Sequence, residues 1–209
     1  MLIDRRSAPA GDVDGGIAAA IAKDGLAVVP RFAPRGLAEA LAAEARRRDA
    51  AGEFRLAGVG RGAGRAMRAD IRGDRTCWLD ESELAPAERC LWGVLEALRL
   101  EVNRATALGL FSVEAHYAIY PPGGFYRRHR DRFRDHDARA LSWILYLNEA
   151  WMQADGGALR IHLADGSARD VLPEAGTLAC FLAERDHEVL PPQRERLSIA
   201  GWFRRRELR

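Results

Sequence analysis

Phe111-Ser112-Val113-Glu114-Ala115-His116-Tyr117-Ala118-Ile119-Tyr120-Pro121-Pro122-Gly123-Gly124-Phe125-Tyr126-Arg127-Arg128-His129-Arg130-Asp131 is the stretch on which the fold turns. Its first ten residues read as a strand, with Val113, Tyr117 and Ile119 on one face and His116 on the other. Pro121-Pro122-Gly123-Gly124 closes that strand in a turn, and a second short run leaves the turn toward His129. Downstream the texture stays the same: short apolar or alternating runs are cut by Asp155-Gly156-Gly157, Asp165-Gly166, Pro173 and Pro191-Pro192. Six or more closely spaced strands are expected from Phe111 onward.

Upstream the periodicity is helical. A first helix is expected over Ile17 to Lys23, ended by Gly25, with a short apolar strand over Leu26 to Val29 after it. Pro34 opens a second helix to about Asp49, with Leu37, Leu41, Ala42 and Ala45 on one face, before Gly52 stops it. Gly52 to Gly64 is rich in glycine and arginine and reads as loop or hairpin. A third helix has Pro86 in its first turn and Leu91, Val94, Leu95, Leu98 and Val102 at three- and four-residue steps, a stripe that should cover a sheet. Helices first and antiparallel strands after predict an α+β domain, a jelly-roll (double-stranded β-helix) core braced by N-terminal helices. Residues 1–209 are read as one domain, with 1–105 mainly helical support and 111–204 the jelly-roll core.

Composition narrows the chemistry. The net charge of +2 comes from 32 basic and 30 acidic residues, so no bulk pull toward nucleic acid or membrane is expected. Lys23 is the single lysine and lies in a plain helical stretch, which removes Schiff-base enzymes and phosphate-binding loops. Cys77, Cys90 and Cys180 are widely spaced with no Cys-x-x-Cys pair, so they read as reduced, buried thiols and not as a zinc cluster or disulfide framework. The first residues lack a long apolar core, and no run of about 18 apolar residues occurs, so a cytoplasmic location is expected. The basic Arg204-Arg205-Arg206 run reads as a solvated terminus.

His129-Arg130-Asp131 follows the Pro-Gly turn in what should be a strand, where residues two apart share a face and can reach one ion. His187 heads another short strand much later. Two histidines and one carboxylate that leave three coordination positions open form the ligand set of mononuclear iron(II) oxygenases. Arg196 follows His187 by about one strand and a turn. A 2-oxoglutarate chelating the iron by its keto-acid end would leave its second carboxylate for a guanidinium fork to pair with. Of the other histidines, His116 is a core or pocket residue, His136-Asp137 a loop pair, and His162 an ordinary strand position.

These residues resemble the prolyl hydroxylase branch of the iron(II)/2-oxoglutarate oxygenases, close to the HIF prolyl hydroxylases and their bacterial relatives, over roughly Arg68 to Phe203. The resemblance runs through Arg72-Gly73-Asp74-Arg75-Thr76-Cys77-Trp78, Tyr120-Pro121, Tyr126, His129, Asp131, Tyr146-Leu147-Asn148, Trp151, Gly156-Gly157-Ala158-Leu159-Arg160-Ile161, His187-Glu188-Val189, Arg196 and Trp202-Phe203. The stretch from Tyr120 to His129 is one residue shorter than in the HIF enzymes. The resemblance implies iron(II) held by His129, Asp131 and His187, which are also the catalytic residues. It implies 2-oxoglutarate bound by Arg196 and Tyr146 with Tyr120 lining its pocket, O2 as oxidant, and succinate and CO2 as products. Arg72, Asp74 and Trp202 become substrate-contact candidates, with the segments Gly58 to Asp74 and Arg132 to Arg139 closing over the site. A carboxylate ligand at Asp131 favours hydroxylation over halogenation. The implied substrate is a prolyl residue of a protein, in the short bacterial relatives one of elongation factor Tu. A free amino acid or small metabolite is the alternative, and a non-enzymatic jelly-roll binding module a more distant one.

Overall fold

The computed structural model describes residues 16–58, 68, 70–132 and 138–206. Three helices come mostly first: α1 (Gly16–Asp24), α2 (Arg35–Ala50) and α3 (Pro86–Thr106). Among them lie β1 (Leu26–Val29), β2 (Arg55–Leu56) and β3 (Arg75–Trp78). Eight strands follow: β4 (Leu110–Tyr120), β5 (Tyr126–His129), β6 (Arg139–Tyr146), β7 (Leu159–His162), β8 (Ala168–Val171), β9 (Leu178–Leu182), β10 (His187–Val189) and β11 (Arg196–Arg205). The expected helices and the strand-rich second half are therefore present.

The strands form a seven-stranded sheet, order β1-β9-β6-β11-β4-β3-β2, and a four-stranded sheet, order β5-β10-β7-β8. Every pairing between them is antiparallel. Strand alternation assigns each face a job. On one face of the large sheet Tyr117, Ile119, Leu141, Trp143, Leu145 and Ile199 meet Leu91, Leu95 and Val102 of α3 in the main core. On the other face Ala118, Ile144, Tyr146 and Phe181 meet Leu159, Ile161 and Val189 of the small sheet in a second core. The large sheet is thus buried on both sides, and the space between the sheets is the interior of the double-stranded β-helix.

Several expectations need correction. Val94 is exposed on α3, and Trp92 is buried in its stead: the covered stripe runs through Glu88, Leu91, Trp92, Leu95, Leu98 and Val102, which leaves Val94 on its far flank. Cys77 and Cys180 are buried, but Cys90 is exposed on α3. Arg204 and Arg205 do not trail into solvent: they end β11, where Arg204 pairs with Glu114 at 3.3 Å and Arg205 Nε donates to the Leu108 carbonyl at 2.9 Å. Most of the glycine- and arginine-rich Gly58 to Arg68 segment, and the His136-Asp137 pair, lie outside the described residues. Among the described residues no helix is long and apolar enough to cross a membrane.

Candidate active site

The antiparallel pairing of β5 with β10 sets His129 directly opposite His187. Asp131 does not share the strand with His129, as the sequence suggested. The strand ends at His129, and the chain bends so that the Asp131 N–H donates to the Ala183 carbonyl at 3.0 Å. This bend carries the carboxylate between the two imidazoles, Oδ1 3.5 Å from His129 Nε2 and Oδ2 3.4 Å from His187 Nε2. The three candidate ligand atoms lie within 4.8 Å of one another.

Each imidazole is aimed by a backbone carbonyl, Arg127 O at 2.7 Å from His129 Nδ1 and Arg185 O at 2.9 Å from His187 Nδ1. A carbonyl only accepts, so both Nδ1 atoms carry the proton and both Nε2 lone pairs converge where an ion would sit. Burial would raise the Asp131 carboxyl, but the His187 and His129 rings outweigh it and hold it well below the usual carboxylate range. Burial lowers the His129 ring, helped by the neighbouring His187, whereas Asp131 outweighs burial at His187 and raises it. Ser142, on the interior face of β6, donates to Asp131 Oδ2 at 2.7 Å. Two neutral nitrogens and an anionic oxygen on one side of the site suit iron(II).

The structure gives Arg72 and Asp74 a different setting from an exposed, substrate-covering turn. Residues 71–73 lie along β5, with Arg127 N–H donating to the Ile71 carbonyl at 2.8 Å and Gly73 N–H to the Phe125 carbonyl at 2.9 Å. Arg72 and Asp74 form a buried two-point ion pair at 2.7 and 2.5 Å. The Arg72 guanidinium lies 4.2 Å from the Tyr126 ring centre, and that ring stacks on His129 at 3.5 Å. The pair therefore braces a metal-ligand candidate through an aromatic ring, while Arg72 also lines the cavity.

That cavity, about 460 Å³, runs between the two sheets. Arg196 heads β11 opposite Tyr120 and is 1 % exposed. Its Nε donates to the Gly157 carbonyl at 2.9 Å and its Nη1 to Ser198 Oγ at 3.3 Å. Gly157 sits at φ +68°, and a Cβ there would come within 2.9 Å of Pro192 and 3.3 Å of the Arg196 side chain, so glycine lets the arginine pass. The guanidinium lies 5.0 and 5.1 Å from the Tyr120 and Tyr146 rings. The Tyr146 hydroxyl has no hydrogen-bond partner among the described residues, and burial pushes it up to about 12. A buried cation beside a buried, unpartnered hydroxyl fits the distal carboxylate of 2-oxoglutarate.

Toward the mouth Trp202 packs under the Arg139 guanidinium, 3.4 Å from its ring centre, while Arg139 pairs with Glu114 at 2.7 Å. His116 is a pocket residue between Trp78 and Trp202, with ring centres at 4.8 and 5.4 Å. Sequence reasoning gave Trp78 no role beyond its place in the family resemblance, and gave Ser142 and Arg139 no site role. The available signal was a lone polar residue on the interior face of the apolar Arg139–Tyr146 strand. His162 is the ordinary strand residue expected, paired with Glu188 at 3.1 Å.

This scaffold and site define the double-stranded β-helix oxygenases, and the profile of the 2OG-Fe(II) oxygenase superfamily matches residues 115–204. A prolyl-4-hydroxylase of Pseudomonas putida superposes with a TM-score of 0.83 at 48 % identity, covering 91 % of this chain and 98 % of that one. A Trichoplax adhaerens prolyl hydroxylase, solved with a hypoxia inducible factor peptide fragment, shares the fold at a TM-score of 0.81 and 23 % identity, covering 90 % and 87 %. The hypoxia-inducible factor prolyl hydroxylase of Caenorhabditis elegans is 31 % identical over 144 residues, 64 % of this chain and 20 % of that protein, so the chain spans about a fifth of its length. The chain belongs to the iron(II)- and 2-oxoglutarate-dependent oxygenases, in their prolyl hydroxylase family. That family uses iron(II), 2-oxoglutarate and O2, and the His129, Asp131 and His187 trio supplies the donor set for the metal.

Proposed function

We propose that the protein hydroxylates a prolyl residue presented by another protein, with elongation factor Tu the partner to test first. The observation that carries the reading is the 48 % identity to the Pseudomonas putida prolyl-4-hydroxylase across 98 % of that chain. In this reading His129, Asp131 and His187 hold iron(II), Arg196 and Tyr146 bind the distal carboxylate of 2-oxoglutarate, and Tyr120 lines that subsite. The bound iron, 2-oxoglutarate and O2 supply an oxidation that turns 2-oxoglutarate into succinate and CO2 and places one oxygen atom on the substrate carbon. The chain aligns the parts: Ser142 fixes the Asp131 carboxylate, two backbone carbonyls aim the imidazoles, and the apolar walls at Ala118, Ile144, Leu159 and Val189 keep water from the target carbon.

The mouth, walled by Trp78, His116 and Trp202 under the Arg139–Glu114 pair, suits a chain segment with aromatic contacts on one side. Purified protein with iron(II), 2-oxoglutarate and intact elongation factor Tu, or loop peptides from it, should release succinate. Mass spectrometry should place one added oxygen on a proline. Efficient oxidation of a free amino acid with every prolyl peptide and elongation factor Tu untouched would replace this reading with a small-metabolite hydroxylase.

A further inference from the structure

Two buried nitrogens in the cavity wall have no role in binding the metal or the co-substrate. His116 is 5 % and Trp202 7 % exposed, and both line the cavity. Neither His116 Nδ1 nor Trp202 Nε1 has a hydrogen-bond partner among the described residues. Leaving such groups unpaired is costly, and a native wall that keeps two of them side by side calls for a ligand. The rings are nearly parallel, 27° apart, with Trp78 closing the stack at 4.8 Å from His116 and 6.0 Å from Trp202. The charged groups nearby are already engaged, Arg139 with Glu114 and Arg72 with Asp74. The wall therefore presents a neutral pair. An indole N–H only donates. Burial, with the Arg72 and Arg139 charges, pushes His116 down to about 3, so its ring is neutral and has a nitrogen free to accept.

We propose that Trp202 Nε1–H and His116 Nδ1 together grip the backbone of the residue that follows the target proline, the indole donating to its carbonyl and the imidazole accepting its N–H. This rests on the prolyl-peptide reading above. Proline lacks an N–H and cannot fill both positions itself. In an extended chain the N–H and C=O of one residue point to the same side and bond as a pair, the arrangement this wall can answer. His116 is then a specificity-determining residue: it selects an extended peptide continuing past the proline over a free amino acid.

The test compares two probes, an unmodified prolyl peptide that the enzyme hydroxylates, with alanine after the proline, and the same peptide with lactic acid in alanine's place, an ester that lacks only the N–H. The wild-type enzyme should show a KM about 10-fold higher for the ester with kcat little changed. His116→Phe keeps the ring stack and removes the acceptor, so it should weaken the amide peptide alone and bring the two probes within about 2-fold of each other. His116→Asn, whose amide oxygen can accept near the same place, should restore the gap. In isotope-labelled protein holding zinc(II) in place of iron, the Trp202 indole proton resonance should move downfield when the amide peptide binds. A His116→Phe enzyme that keeps the wild-type gap, or an indole proton that does not respond, would overturn the proposal while prolyl hydroxylation stands. If no prolyl peptide is turned over at all, the underlying reading fails and takes this inference with it.

Discussion

Replacing Tyr146 with phenylalanine should move two properties in opposite directions. The hydroxyl is fully buried beside the Arg196 guanidinium and makes no hydrogen bond of ordinary geometry among the described residues. A buried polar group left unpaired costs about 1–3 kcal/mol, so removing it should stabilise the protein free of co-substrate by about 1 kcal/mol. At this chain length that is a rise in Tm of about 2–4 °C. With 2-oxoglutarate bound, the same hydroxyl would donate to a carboxylate, a bond worth about 1.5–3 kcal/mol, so co-substrate affinity should fall roughly 10- to 150-fold. Scanning calorimetry of the free protein and titration of 2-oxoglutarate into the zinc(II)-loaded protein, in which no oxidation runs, read the two effects separately. A lowered Tm together with unchanged co-substrate affinity would mean that the hydroxyl serves the fold, and the reasoning would fail.

His129→Ala, Asp131→Ala and His187→Ala should each abolish 2-oxoglutarate turnover while circular dichroism keeps its native shape; full activity in an iron-loaded His187→Ala protein would remove the metal assignment. Arg196→Ala should weaken 2-oxoglutarate binding by on the order of 2–5 kcal/mol, seen as a raised KM. Lost iron binding with intact co-substrate affinity would make that arginine structural. Ser142→Ala should lower iron(II) affinity about 10-fold by freeing the Asp131 carboxylate, measured by competition with a chelator; unchanged affinity would show that the two imidazoles alone orient it.

The order of helices before strands, and the jelly roll itself, could be read from periodicity and turn residues, since each strand carries its own alternation. The trio was legible for a simpler reason than the one that produced it. A His-x-Asp spacing suggests two side chains on one strand face, whereas Asp131 reaches the site through a bend held by Ala183 O. Pairing across sheets is invisible in local pattern, so nothing in the sequence set His129 against His187 or Ser142 against Asp131. The same holds for Arg72 and Asp74, substrate-contact candidates in the sequence, until the chain lays Arg72 along β5 and buries its ion pair with Asp74. Trp92 and Val94 flank the Leu91-Leu95-Leu98-Val102 line on opposite sides, and the repeat alone does not say which flank the sheet covers; it covers the Trp92 side.

The strand that carries His129 lies at one edge of its sheet: it joins β10 at two register positions with an irregularity between them, and residues 71–73 hold its other side by two backbone hydrogen bonds. Held on each side by a few backbone contacts only, it is a natural place for local opening. An ion shared by His129 and His187 would act as a clasp across that seam. The same strand exposes Arg127 and Arg128, with Arg130 just beyond, and trypsin cuts after arginine. Occupancy of the metal site should therefore be written into the protein's digestion pattern: metal-loaded protein should resist cleavage between residues 127 and 131, and chelation should expose that edge to the protease.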